Sequence, residues 1–136
     1  MKRHQTTYGF SKRGLPMLAA TLFILSAGCA STKTGTLSTK ADYNEVFNAA
    51  RQAAIETGFG ITSADKGSGF ISGQMAVGFG EGTVVVMSVQ LTRTLDGTEV
   101  EVSIVPPSGT VGNIEGLIDK FSKALKKRVP DVEVSA

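Results

Sequence analysis

The residue types that most often carry nucleophilic or metal chemistry are scarce and lie near the amino terminus. His4 and Cys29 are the only histidine and the only cysteine in the chain. Ser-His pairs, Cys-His pairs and two-histidine metal sites therefore cannot form within residues 30–136. Carboxylates remain, and Glu99 and Glu101 share the solvent side of a predicted strand, which is typical of solvated side chains. The sequence predicts no enzyme, no catalytic residue, no metal and no cofactor.

Cys29 stands at the end of a three-part leader. A basic segment is followed by an apolar run over residues 15–25 and by Ser26-Ala27-Gly28, which is the layout of a secretory signal peptide. The apolar run is shorter than the roughly 20 residues that a membrane-spanning helix needs. The alternative to lipidation is an ordinary secreted protein with a cysteine near the cleavage site.

The sequence Ser-Ala-Gly-Cys resembles the bacterial lipobox. The resemblance implies cleavage between Gly28 and Cys29 and acylation of Cys29, with two or three acyl chains forming a stable membrane anchor. Ala30 follows the cysteine, where an aspartate would resemble an inner-membrane retention signal. In an organism with two membranes, we therefore expect a lipoprotein in the outer membrane that faces the periplasm.

Loss of the leader changes the charge of the protein. The whole chain has 14 Lys and Arg against 12 Asp and Glu. The leader contains four of the basic residues and none of the acidic ones, so ten basic residues remain and the net charge becomes −2. A general attraction to nucleic acid is therefore not expected. The predicted organisation is a signal peptide over residues 1–28, a lipidated cysteine with a flexible polar tether over 29–41, and one domain over 42–136.

Two helical patterns enclose a region of period-two alternation. Asp42 is a candidate N-cap and Gly58 a candidate left-handed C-cap of the first helix. The second helix is expected over residues 111–129, before Pro130. The prediction is an α+β fold: a two-layer sandwich in which two helices cover one face of a four-strand antiparallel meander, in the order helix-strand-strand-strand-strand-helix. Residues 132 and 134 are candidates for an additional edge strand.

The hairpins predict a strand register. Asp96-Gly97 is a typical two-residue turn, and a loop over residues 78–82 connects the preceding pair of strands. The turn at 96–97 gives the pairs Leu91–Val102 and Val89–Ile104. The loop at 78–82 gives the pairs Ile71–Val89, Gly73–Met87 and Met75–Val85.

Residues 46–71 carry a resemblance to known families. The segment Gly58-Phe59-Gly60-Ile61 follows the first helix, and an Asp65-x-x-x-Gly69 turn precedes the next strand. This order is similar to that of small bacterial lipoproteins of uncharacterised families and, distantly, to the domains of the outer-membrane assembly lipoprotein C. The resemblance implies a helix-on-sheet fold and an accessory role, and it assigns no functional residue.

The predicted register creates a candidate contact surface on the open face of the sheet. Phe79, in the glycine-rich loop, is the bulky side chain suited to anchor a partner. The loop lacks the following helix and lysine of a phosphate-binding loop, so the alternatives are a flexible hairpin and a partner contact. A local apolar patch on a polar face can mark an interface, unless the carboxyl-terminal tail or the tether covers it. The residues expected to form this patch are Ala76, Val84, Val86 and Val105.

The sequence is compatible with three functions. The first is a non-catalytic accessory or structural binding module of the cell envelope, which contacts an envelope protein or a second copy of itself. The second is a lipoprotein that binds a small lipid or glycan in a cavity near Phe47, Met87 and Phe121. The third is a hydrolase that uses carboxylates alone. The basic run at 120–128 is either a solvated helix end or a contact for anionic lipid or polysaccharide.

Overall fold

The computed structural model describes residues 32–77, 84–106 and 114–135. These residues form an α+β fold with a six-stranded antiparallel sheet and two helices. The elements are β1 (Lys33–Thr39), α1 (Tyr43–Thr57), β2 (Gly60–Asp65), β3 (Phe70–Ala76), β4 (Val84–Thr94), β5 (Gly97–Val105), α2 (Ile114–Arg128) and β6 (Glu133–Val134). The strand order across the sheet is β2-β3-β4-β5-β1-β6.

The presence of strand β1 contradicts two predictions. The flexible tether over residues 29–41 and the domain boundary at residue 42 are wrong, because residues 33–39 pair with residues 98–104 of β5. Leu37 and Thr39 are buried, although the segment offers only one large apolar residue. The four-strand meander β2-β3-β4-β5 is present, and β1 and β6 extend it to six strands.

Both ends of helix α1 agree with the predicted caps. The Asp42 carboxylate accepts a hydrogen bond from the Asn44 backbone N–H at 2.9 Å, which is the usual N-cap contact. Gly58 adopts a left-handed conformation with φ 106°. Its N–H donates to Ile55 O, and the Phe59 N–H donates to Ala54 O. These two bonds form a Schellman motif, and the buried Phe59 provides its hydrophobic contact.

Helix α2 and the following residues complete the helical layer. The structure describes α2 from Ile114 to Arg128, within the predicted range, and Val111 lies outside the described residues. Phe121 and Leu125 are completely buried. After the helix, Val134 pairs with Leu37, so the short edge strand expected near the carboxyl terminus is confirmed.

The register between β3 and β4 is the predicted one. The three expected pairs are all present: Ile71–Val89, Gly73–Met87 and Met75–Val85. Alternation therefore directs Val85, Met87 and Val89 to the side of the helices.

The register between β4 and β5 differs from the prediction by two residues. The turn consists of residues 95–96, and Gly97 pairs with Thr94 as the first residue of β5. The physical reason is β1, whose Thr39 carbonyl lies where a Cβ on residue 97 would be. Because the shift is even, each side chain keeps its predicted face. The observed pairs are Leu91–Val100, Val89–Val102 and Met87–Ile104.

The core lies between one face of the sheet and the two helices. Both helices contribute side chains to the same buried cluster as alternate residues of the strands. Burial of this continuous apolar surface is the main stabilising contribution to the fold. The sheet members of the cluster are Leu37, Ile71, Val85, Met87, Val89, Leu91, Val100, Val102 and Ile104.

Candidate binding surface

The face of the sheet opposite the helices is the open face, and most of it is polar. Alternation places Thr92 and Gln90 of β4 on this face, beside Glu99 and Glu101 of β5. The Gln90 amide donates to Ser68 O at 2.7 Å. Glu99 and Glu101 therefore lie on the solvent side of the sheet, as predicted.

One end of the open face is apolar. Ala76 pairs with Val84 across β3 and β4, and Val86 pairs with Val105 across β4 and β5. Val84 is 37% exposed and Val105 is 40% exposed. These four residues, the apolar patch, are the predicted contact residues that the fold brings together. Phe79, the fifth candidate, lies outside the described residues, as do Gly28 and Cys29.

The segments that could have covered the apolar patch lie elsewhere. Residues 33–39 form strand β1 on the far side of β5, and residues 133–134 form β6 beyond β1. Both segments therefore extend the sheet sideways. Within the described residues, neither one lies over the patch.

Three carboxylates of the described chain have a lowered pKa. A hydrogen bond from the Ser68 hydroxyl, aided by the Gly67 N–H, lowers the pKa of Asp65. A hydrogen bond from the Thr39 hydroxyl lowers the pKa of Asp131. A general acid at neutral pH needs the opposite shift, so these groups act as hydrogen-bond acceptors within the fold.

The third carboxylate joins the two helices. Glu56 of α1 accepts hydrogen bonds from Arg128 at 2.7 Å and from Lys127 at 3.0 Å, and these contacts lower its pKa, with Arg128 contributing most. Two cations of the predicted basic run are thus engaged by Glu56. The exposed ones on α2 include Lys120, Lys123 and Lys126.

The surface has open grooves at the end of the sheet away from the patch and along α2. The largest of those described, about 520 Å³, lies among polar side chains that include Thr39, Asp96 and Asp131. A second, about 230 Å³, lies between α2 and β6 and includes Leu37 and Val134. A third, about 260 Å³, lies between Thr57 and the lysines of α2.

The side chains proposed to line a ligand cavity instead pack in the core. Phe121 and Met87 are completely buried, and Phe47 is 4% exposed. None of the three grooves is lined by these residues. The alanines of α1 at positions 49, 50, 53 and 54 are buried as well. The arrangement thus gives no support to the cavity hypothesis.

Three tertiary contacts were not predicted from the sequence. Thr39 and Asp131 form a hydrogen bond between β1 and the segment after α2. Tyr43 donates a hydrogen bond to Lys66 O at 2.8 Å, while the Arg93 guanidinium lies 3.8 Å from its ring centroid. Leu37 is the only large apolar residue in β1, so apolar alternation gave no signal for this strand, and the contacts of Tyr43 depend on the whole fold.

The described ranges contain no group of three His, Cys, Asp or Glu residues that could hold a metal ion. In the same part of the chain, no helix is both long enough and apolar enough to cross a membrane.

Comparison with known proteins adds no functional assignment. No family model matches the chain, and no curated protein matches it. Among solved structures, the chain is similar to protein CV1439 from Chromobacterium violaceum, with 10% identity, a TM-score of 0.44, and coverage of 73% of this chain and 95% of that one. It is also similar to Ara h 8.0201, with 13% identity, a TM-score of 0.36, and coverage of 71% and 96%. Both similarities are too low to carry an argument about function.

Proposed function

We propose that the protein is a lipid-anchored, non-catalytic binding module of the bacterial cell envelope. The signal peptide over residues 1–28 is removed before Cys29, whose acyl chains hold the domain at the outer membrane, facing the periplasm. The domain then acts by binding another molecule and not by catalysing a reaction. The observation that carries this proposal is the uncovered apolar patch on the open face of an otherwise polar sheet.

The distribution of polar groups supports a non-catalytic role. The carboxylates with shifted pKa values have structural hydrogen-bond donors and stay ionised at neutral pH. Among the described residues, the buried polar side chains are Thr39 and Thr98, so the described part of the interior offers no acid–base pair. An exposed surface is then the feature through which the domain can act.

The apolar patch has the composition of a contact surface. Val84 and Val105 keep more than a third of their surface exposed, and Val86 lies between them as a neighbour of both. Covering these side chains would remove apolar surface from water, which favours association. The polar residues of the same face would then border the contact.

The anchor is tested by fractionation of cells that express the full chain or its Cys29→Ser variant. We expect the unaltered chain in the membrane fraction and the variant in the soluble fraction, because the thiol is the attachment point of the lipid. A variant that stays with the membrane would contradict the proposed anchor.

The contact surface is tested by crosslinking in intact envelopes followed by capture in mild detergent. We expect Val86→Glu to abolish the crosslinks that the patch forms, whether to lipid or to an envelope protein, while leaving the fold intact, since the charge would have to lose water in the contact. Thr92→Glu, at an exposed position on the same face of β4, is the matched control and should leave these crosslinks unchanged. Equal crosslinking by both variants would exclude the patch as the contact surface.

A further inference from the structure

Strand β1 determines which end of the domain lies next to Cys29. A row of paired residues crosses five strands at the beginning of β1: Lys33, Ile104, Met87, Gly73 and Ile61. Val105 and Val86 lie one residue beyond this row, and Ala76 and Val84 lie two residues further. The apolar patch is therefore at the same end of the sheet as the beginning of β1.

Covalent geometry keeps Cys29 close to this end. Four residue steps separate Cys29 from Lys33, and an extended chain spans at most ~3.6 Å per step, or ~14 Å in total. Neighbouring strands are ~4.8 Å apart, so Val105 on the adjacent strand and Val86 on the next one also lie within ~14 Å of Lys33. A lipid attached to Cys29 therefore brings the patch end of the sheet to the membrane surface.

The distribution of carboxylates along the sheet supports the same orientation. The acidic residues of the described strands all lie on the other side of this row: Asp65, Glu99, Glu101 and Glu133. The strand residues from Ser72, Ser88 and Ser103 to the patch end carry no carboxylate. Carboxylates are repelled by the phosphates of lipid headgroups, so this end, whose described strands carry no carboxylate and include Lys33, is the one suited to rest on a bilayer.

We infer that the apolar patch rests on the bilayer in which the lipid on Cys29 is inserted. The anchor holds the beginning of β1 at the headgroups, Val84 and Val105 enter the interfacial region, and the acidic end of the sheet points away from the membrane. The contact is a second, weaker attachment that fixes the orientation of the domain. This inference rests on the proposed lipidation of Cys29.

Tryptophan fluorescence can test this orientation directly, because the chain contains no tryptophan. Val84→Trp places the probe in the patch. Thr92→Trp is the matched control, since it is exposed on the same face of the same strand and eight residues, or ~26 Å, away. The full chain is expressed in bacteria, purified from envelopes, and reconstituted into phosphatidylcholine vesicles with and without brominated acyl chains, which quench nearby tryptophan. Circular dichroism checks that both variants fold.

We expect brominated vesicles to quench the Val84→Trp variant severalfold more than the Thr92→Trp variant. Equal quenching of the two probes, or none, would overturn the inference. If the tryptophan at residue 84 is not quenched but becomes shielded from solvent when envelope protein is added, the patch binds a protein partner. This result would also overturn the inference.

The failure of the anchor can be separated from the failure of the orientation. The mass of the purified protein shows whether Cys29 carries lipid, independently of any fluorescence. If it does not, the cysteine thiol, the only one in the chain, can be coupled to a maleimide lipid in the same vesicles. The difference between the two tryptophan probes then still reports which end of the domain meets the bilayer.

Discussion

The Thr39 hydroxyl donates a hydrogen bond to the Asp131 carboxylate across 2.7 Å. The Lys40 N–H donates to the other oxygen of the same carboxylate at 2.9 Å, and the Ala41 N–H donates to the Thr39 hydroxyl. Residues separated by almost the whole described chain are thus joined at one corner of the domain. This contact holds the end of β1 against the segment that follows α2.

Thr39→Val should destabilise the fold by about 1–2 kcal/mol. Valine preserves the shape of the buried side chain but can neither donate to Asp131 nor accept from the Ala41 N–H. Urea unfolding at neutral pH measures this change. Thr92→Val, an exposed substitution of the same kind on β4, should change the stability by less than about 0.5 kcal/mol. Equal effects would show that the hydrogen bonds of Thr39 are irrelevant to stability.

The same contact predicts a dependence of stability on pH. The folded state lowers the pKa of Asp131, chiefly through the Thr39 hydroxyl, so the unfolded chain binds this proton more readily. The stabilisation is complete above the ordinary aspartate pKa of about 4 and is lost as the pH falls through the lower pKa of the folded state.

Asp131→Asn should therefore reduce the loss of stability between neutral and acid pH. The measurement is the urea midpoint at several pH values from neutrality downward. Asp119→Asn, which replaces an exposed aspartate on α2, controls for the general effect of removing a carboxylate. An acid dependence identical in the unaltered chain and the Asp131→Asn variant would contradict the predicted linkage.

Leu37→Ala tests whether β1 belongs to the folded domain. Leu37 is 2% exposed, so we expect a loss of about 2–5 kcal/mol from the free energy of unfolding. Leu95→Ala is the same substitution at a fully exposed turn position and should have little effect. If residues 30–41 were a free tether, both variants would be as stable as the unaltered chain.

Gly97→Ala should destabilise the domain by about 1–3 kcal/mol. A Cβ at residue 97 would collide with the Thr39 carbonyl and the Lys40 backbone, which forces β1 away from β5. Gly60→Ala is the matched control, because the atom nearest to its added Cβ, Gln74 O, lies at an ordinary 3.6 Å. Thermal unfolding of the two variants provides the comparison, and a Gly97→Ala domain as stable as the control would refute the close approach.

The features of the fold that could be predicted from the sequence are those that depend on local signals. The caps of α1 depend on residues within one turn, and the β3–β4 register follows from alternation on both sides of one loop, so both were predictable. Strand β1 has only Leu37 as a large apolar residue, and it becomes a strand because β5 pairs with it across a long sequence separation. The shifted register at Gly97 is a consequence of the same strand.

The same difference between local and long-range signals applies to the candidate surface. Alternation assigned Ala76, Val84, Val86 and Val105 to the open face, and an even shift in register left that assignment intact. The proximity of this patch to the beginning of β1 was not predictable without β1 itself. A tether of twelve residues would have separated the domain from its anchor, whereas a fold that begins at Lys33 keeps the two together.

The most direct test of the account is the intact mass of the full-length gene product purified from bacterial envelopes. We predict a chain that begins at Cys29 and carries the added mass of a diacylglyceryl group, with or without an acyl chain on its new amino terminus. A chain that retains residues 1–28, or one whose cysteine is unmodified, would contradict the proposal of a lipid-anchored binding module.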